Sequence, residues 1–81
     1  MARILVIDDE PDIVRMVVKV LTARGHEVSS GRDGTEALAM VAAAAPEALI
    51  IDANLPGIDG LDVVRRIKSD PATRHVPVVL M

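Results

Sequence analysis

Asp8 and Asp9 close the run Arg3-Ile4-Leu5-Val6-Ile7, and Asp52 closes a second run, Ala48-Leu49-Ile50-Ile51. If the two runs are neighbouring parallel strands, their carboxyl-terminal ends lie side by side, at the rim where open α/β sheets place their ligands. Three carboxylates gathered there repel one another, and a hard divalent cation with oxygen ligands is the simplest way to keep all of them ionised. Magnesium suits two carboxylates, a carbonyl and several waters. A carboxylate can also be a nucleophile, forming an aspartyl phosphate when a phosphoryl donor is held in line. Asp52 is the stronger nucleophile candidate because it ends the more central run, whereas Asp8 and Asp9 lead into a helix and can hold the metal. Asp8 alone reads as readily as a helix cap or simply solvated side chain as it does as a chemical group; its neighbour and Asp52 are what favour chemistry.

The elements that would position these carboxylates follow from local pattern. Residues 3–7 read as a strand covered on both faces, and Pro11 suits the first turn of a helix starting near residue 11 or 12. Val14, Val17, Val18 and Leu21 fall at helical spacing as a packed stripe, with Arg15 and Lys19 toward solvent and Gly25 as the stop. His26 to Ser30 is a weak second strand and Gly31-Arg32-Asp33-Gly34 a turn. Thr35 to Ala45 reads as the second helix, with Ala37, Leu38, Met40 and Val41 inward, ended by Pro46. Ala48 to Ile51 is expected to be the third and most buried strand. Asn54-Leu55-Pro56-Gly57 and Asp59-Gly60 form a loop, and Leu61 to Ser69 a third helix packing Leu61, Val64 and Ile67. Asp70-Pro71 breaks that helix, and Val76 to Met81 reads as a fourth strand.

Regular alternation of strands and helices argues a parallel sheet with right-handed crossovers. A last strand with no helix after it exposes an apolar face and an open edge, so the chain is expected to be a fragment or to pair with another copy or chain. At 81 residues it is one small domain, 51% hydrophobic, with apolar runs far too short to cross a bilayer. No cysteine is present, which removes disulfides and thiolate metal sites and fits a reducing compartment. Met1-Ala2-Arg3 leads straight into a strand, so a secretory leader is not expected and the cytoplasm is. The net charge of −3 is spread without a basic stripe, and Phe, Tyr and Trp are absent. Direct nucleic-acid binding by this segment is therefore not expected. Met16 and Met40 read as packing in or beside the core, and His26 and His75 as residues without a chemical role.

The pattern Ile4-Leu5-Val6-Ile7-Asp8-Asp9-Glu10-Pro11, then Asp33-Gly34-Thr35-Glu36-Ala37-Leu38, then Leu49-Ile50-Ile51-Asp52-Ala53-Asn54-Leu55-Pro56-Gly57-Ile58-Asp59-Gly60 resembles the receiver domain of bacterial two-component response regulators. The resemblance runs through the whole chain in the family's order and spacing. It implies a three-layer α/β/α parallel sheet of the flavodoxin-like receiver type, truncated after the fourth strand, with residues 1–81 as the amino-terminal two thirds of one phosphoacceptor domain. It also implies that Asp52, four residues before Pro56, accepts a phosphoryl group. Asp8 and Asp9 resemble the pair that organises Mg2+, Asp9 directly and Asp8 mainly through water, and Asn54 falls where the family supplies a backbone carbonyl to the metal. Pro56, Gly57 and Gly60 resemble the parts that shape the loop. The implied donor is a phosphohistidine on a sensor histidine kinase or phosphotransfer protein, and the implied activity is transfer onto the domain's own Asp rather than multiple-turnover catalysis.

In the family a hydroxyl residue at the end of the fourth strand and a lysine at the end of a fifth hold phosphoryl oxygens. Neither has a counterpart among these residues. Removing one positioned donor from a developing anion costs roughly 2.7–4 kcal/mol, so the isolated segment is expected to bind magnesium yet transfer slowly. The competing expectation is a receiver-like interaction module that pairs through its open sheet edge without phosphotransfer. A small aspartate-dependent phosphohydrolase would want a second aspartate two residues after the nucleophile, where this chain has Asn54.

Overall fold

The computed structural model describes residues 1–81, as seven elements in strict alternation: β1 (Arg3–Ile7), α1 (Pro11–Ala23), β2 (Glu27–Gly31), α2 (Gly34–Ala43), β3 (Ala48–Ile51), α3 (Gly60–Ser69) and β4 (Val78–Leu80). All neighbouring strands are parallel and their order across the sheet is β2-β1-β3-β4. The chain moves outward from β1 to β2, then returns past β1 to β3. With right-handed crossovers this reversal puts α1 on one face and α2 with α3 on the other. It also puts the switch point of this α/β/α architecture between the carboxyl-terminal ends of β1 and β3.

The two faces are unequally filled. Leu5, Ile7, Leu49 and Ile51 point toward α2 and α3, where they meet Ala37, Val41, Val63 and Ile67 in one core cluster. Ile4 and Val6 are buried beneath α1. Ile50 is only half-buried and its register partner Val79 is 56% exposed. β1, with Ile4 through Ile7 all buried, is therefore the most buried strand, and the expectation that β3 would be is corrected. Both strands are central, but α1 lies over β1 and β2 and leaves that face of β3 uncovered.

The same arrangement corrects the reading of α1. Val14, Val17, Val18 and Leu21 do turn toward the sheet, yet none is fully buried, and Met16 is 56% exposed rather than packed at the core. α1 is the lone helix on its face, so its flanks meet no second helix. α3 departs from expectation by one step of rotation. Gly60, Val63 and Ile67 face inward, while Leu61 is 44% exposed and Val64 lies at the margin. Its sequence offers two apolar phases that share Ile67, and the close approach of Gly60 to the end of β3, described below, selects between them.

Boundaries differ modestly. α2 begins at Gly34, where the Asp33 carboxylate accepts from the Glu36 amide at 2.8 Å. It ends at Ala43, because Pro46 disfavours helical backbone at the residue before it. Gly31 belongs to β2 rather than to the turn. β4 is only three residues long: Val76 is fully buried, but its amide closes a turn onto the Thr73 carbonyl, and Pro77 contributes only its carbonyl, to Leu49. No helix is long and apolar enough to cross a membrane.

Candidate functional site

Strand geometry places the carboxylates. The Asp8 amide donates to the Gly31 carbonyl at 3.3 Å, and the Asp52 amide donates to the Ile7 carbonyl at 2.9 Å. Both aspartates thus extend the ladder one residue beyond the last assigned strand position and hold their backbones in register across the switch point. Carboxylate oxygens of Asp8, Asp9 and Asp52 all lie within 4.8 Å of one another. Asp8 is buried at 4% exposure, Asp52 is half-buried and Asp9 is open to solvent.

Two of the three carboxylates are aimed by backbone amides. The Glu10 amide donates to Asp8 Oδ1 at 2.9 Å, and the Asn54 amide donates to Asp52 Oδ1 at 3.0 Å. Each is a turn closed two residues ahead by an Asp side chain, and each leaves the second oxygen for another partner. None of the three has an ion pair with Lys or Arg; the chain's ion pairs are Arg3 with Glu47, Arg15 with Asp12 and Arg65 with Asp62. At 4 Å two like charges repel by about 1 kcal/mol in water, and by more where water is excluded. The donors are all oxygen, the charge is high and no basic side chain neutralises it. That set fits a hard divalent cation and can bind one.

The loop after Asp52 is fixed by contact rather than left free. Leu55 is buried and joins the core cluster, a role its place in a polar loop did not signal. The Gly60 amide donates to the Ala53 carbonyl at 3.0 Å, and a Cβ at Gly60 would stand 2.0 Å from the Asp52 carbonyl oxygen. Only glycine permits the start of α3 to come so near the backbone that carries Asp52. Gly57 has φ +73°, which explains the second glycine. Asn54, the fourth metal candidate, is exposed at the start of this loop and touches the site through its amide on Asp52. Neither of the chain's lysines reaches the rim. Lys19 is on α1, and Lys68 Nζ donates to the carbonyls of Arg74 at 3.1 Å and Val76 at 2.6 Å, at the opposite end of the sheet.

The profile of the response regulator receiver domain matches residues 4–81. This chain belongs to the response regulator receiver domain family. It is 50% identical over 80 residues to the response regulator PleD of Caulobacter vibrioides, covering 99% of this chain and 18% of that protein. It is 30% identical over 81 residues to the protein PilH of Pseudomonas aeruginosa, covering all of this chain and 67% of PilH. Among solved structures, the N-terminal domain of a response regulator receiver protein from Methanoculleus marisnigri superposes with a TM-score of 0.96 at 36% identity, over 99% of this chain and 65% of that one. The signal receiver domain of a signal transduction histidine kinase from Syntrophus aciditrophicus gives 0.96 at 28% identity, over 100% of this chain and 61% of that one. The flavodoxin-like receiver fold is therefore established with four strands. Relatives at this similarity include proteins several times longer than these 81 residues.

Proposed function

We propose that the chain is the phosphoacceptor segment of a two-component phosphorelay, in which Asp52 takes a phosphoryl group from a phosphohistidine in the presence of Mg2+. The observation that carries this reading is the convergence of Asp8, Asp9 and Asp52 within 4.8 Å at the switch point of the sheet. In the reaction an oxygen of the Asp52 carboxylate attacks phosphorus, the N–P bond of the donor breaks, and the imidazole nitrogen keeps the electron pair and is protonated. The Asn54 amide holds one Asp52 oxygen and leaves the other to attack. Asp9, Asp52 and the Asn54 carbonyl would hold the cation directly, with Asp8 acting mainly through water. The cation would neutralise the carboxylates and the phosphoryl oxygens as charge develops. Transfer is onto the domain's own side chain, a single event per donor rather than turnover.

The reading of a sensor kinase or phosphotransfer protein as donor is supported by the surface next to the rim. Ile13, Met16 and Val20 form an exposed apolar stripe along α1, which starts two residues after Asp9. Such a stripe suits a helical partner that brings its histidine to Asp52. A cytoplasmic location accords with that partner. Residues 1–81 are read as the amino-terminal part of one receiver domain, with the oxyanion-holding hydroxyl and lysine supplied from outside them. The output it regulates is a property of the longer protein.

The test is incubation with magnesium and a small phosphodonor such as acetyl phosphate, read by intact mass. A phosphoryl adduct absent from Asp52→Asn, with both chains folded by circular dichroism, is the expected result. An adduct that persists in the variant overturns the assignment of Asp52.

A further inference from the structure

One edge of the sheet, at β2, carries a surface that touches the carboxylate site only at Asp8. Glu27 and Gly31 direct their backbone groups to the neighbouring strand: the Glu27 amide donates to the Ala2 carbonyl at 2.9 Å, and the Gly31 carbonyl accepts from Asp8. Residues of a parallel strand alternate in this direction, so the amides and carbonyls of Val28 and Ser30 face away from β1, where no further strand lies. Side chains alternate as well. Val28 and Ser30 share the α1 face with Ile4 and Val6, while Glu27 and Ser29 share the α2 face with Arg3 and Leu5.

The two faces of this edge differ in chemistry. On the α1 side, two adjoining depressions of 390 and 610 Å³ have Val14, Arg15 and Ser30 in common and form one groove between helix and strand. Its cations are Arg15, Lys19 and Arg32. Lys19 and Arg32 have no ion-pair partner, and Arg15 meets only the exposed Asp12. Two acids border its rim end, Asp8 and Glu36, each accepting one backbone amide, from Glu10 and Arg32, whereas the end lined by Val18, Lys19 and Thr22 has no acid. On the α2 side, a cavity of 230 Å³ runs along the same edge, with Leu5, Met40, Ala44 and Pro46 forming its apolar part and Arg3, Glu27 and Ser29 its polar part. A chain of net charge −3 thus sets three cations along one side of a free strand edge and a hollow with an apolar part along the other.

We propose that the β2 edge accepts, as an added strand, an extended segment of a partner protein whose residues alternate between acidic and apolar. The partner's backbone pairs with Val28 and Ser30, its acidic side chains meet Arg15, Lys19 and Arg32, and its apolar ones enter the cavity beside Met40 and Ala44. Main-chain pairing supplies affinity and the alternation supplies specificity. Charge complementarity selects this occupant over the apolar segment that would suit β4, whose Val79, Leu80 and Met81 are exposed without a cation among them.

The probe is a synthetic peptide of alternating Glu and Val, compared with its Lys–Val counterpart by titration into isotope-labelled chain. The Glu–Val peptide is expected to move the amide resonances of Val28, Ser30 and Arg32 most and to lose affinity as salt is raised. The double charge reversal Lys19→Glu with Arg32→Glu, both at exposed positions, is expected to weaken it about ten-fold or more while leaving the circular dichroism spectrum unchanged. Ser30→Pro, which an edge strand tolerates, removes an outward amide and is expected to weaken binding without charge reversal. The proposal is overturned by absence of Glu–Val binding, by equal binding of the Lys–Val peptide, by resonance shifts centred on Val78 to Met81, or by undiminished affinity in the double reversal.

Discussion

At the amino-terminal end of the sheet Arg3 pairs with Glu47, Lys68 is held by two carbonyls and the buried Thr73 hydroxyl donates to the Ile67 carbonyl at 2.8 Å, whereas at the carboxyl-terminal end Asp8, Asp9 and Asp52 gather with no Lys or Arg paired to them. The first end satisfies its polar groups internally and closes the α3–β4 connection over the core. The second keeps like charges close, holds two of them by single backbone amides and leaves the remaining oxygens open. Polar groups that only stabilise a fold are mostly paired off; a cluster of this kind is able to hold a ligand of opposite charge. The contrast separates the structural end of this domain from its chemical end.

The largest expected effect on stability that sharpens this contrast is at Gly60. Gly60→Ala forces a methyl group against the Asp52 carbonyl, and overpacking of this kind costs roughly 1–3 kcal/mol. Urea unfolding should show the loss, and phosphorylation should fall with it because the same contact positions Asp52. At the structural end Thr73→Val removes a buried donor and leaves the Ile67 carbonyl unpartnered by it, for a loss of about 1–2 kcal/mol with no change in magnesium affinity. Asp9→Asn works in the opposite direction at the chemical end. Without divalent cations it relieves repulsion and should stabilise the fold by up to about 1 kcal/mol, while abolishing most of the thermal stabilisation that magnesium gives the native chain. Smallest is Glu47→Gln, which weakens an exposed pair and should stay within about 0.5 kcal/mol in the same unfolding assay.

Much of the chemical end was legible in the sequence because the relevant signal is local. A carboxylate that directly follows an apolar strand must emerge at the strand's end, and two such strands in a parallel sheet need only be neighbours for Asp8, Asp9 and Asp52 to meet. The parts that escaped depend on what lies beside an element rather than within it. Gly-Leu-Asp-Val-Val-Arg-Arg-Ile supports two helical phases, and a backbone contact between Gly60 and Asp52 chose the one that buries Val63 instead of Leu61. The stripe of α1 was correctly placed but incompletely buried, because burial requires a neighbour that periodicity does not record. Ile50 and Val79 lie on that same uncovered face. Leu55 sat in a segment whose Pro, Gly and Asn marked it as loop, and nothing in that composition foretold a side chain anchored in the core.

The proposed phosphoacceptor role requires that the carboxylate cluster bind a divalent cation. Isothermal titration calorimetry of magnesium into the folded chain, beside the Asp9→Asn variant, asks that question without requiring a phosphodonor. The account predicts a saturable heat in the native chain and an affinity lowered at least about ten-fold in the variant. No magnesium heat in the folded native chain, or the same affinity in both, would contradict it.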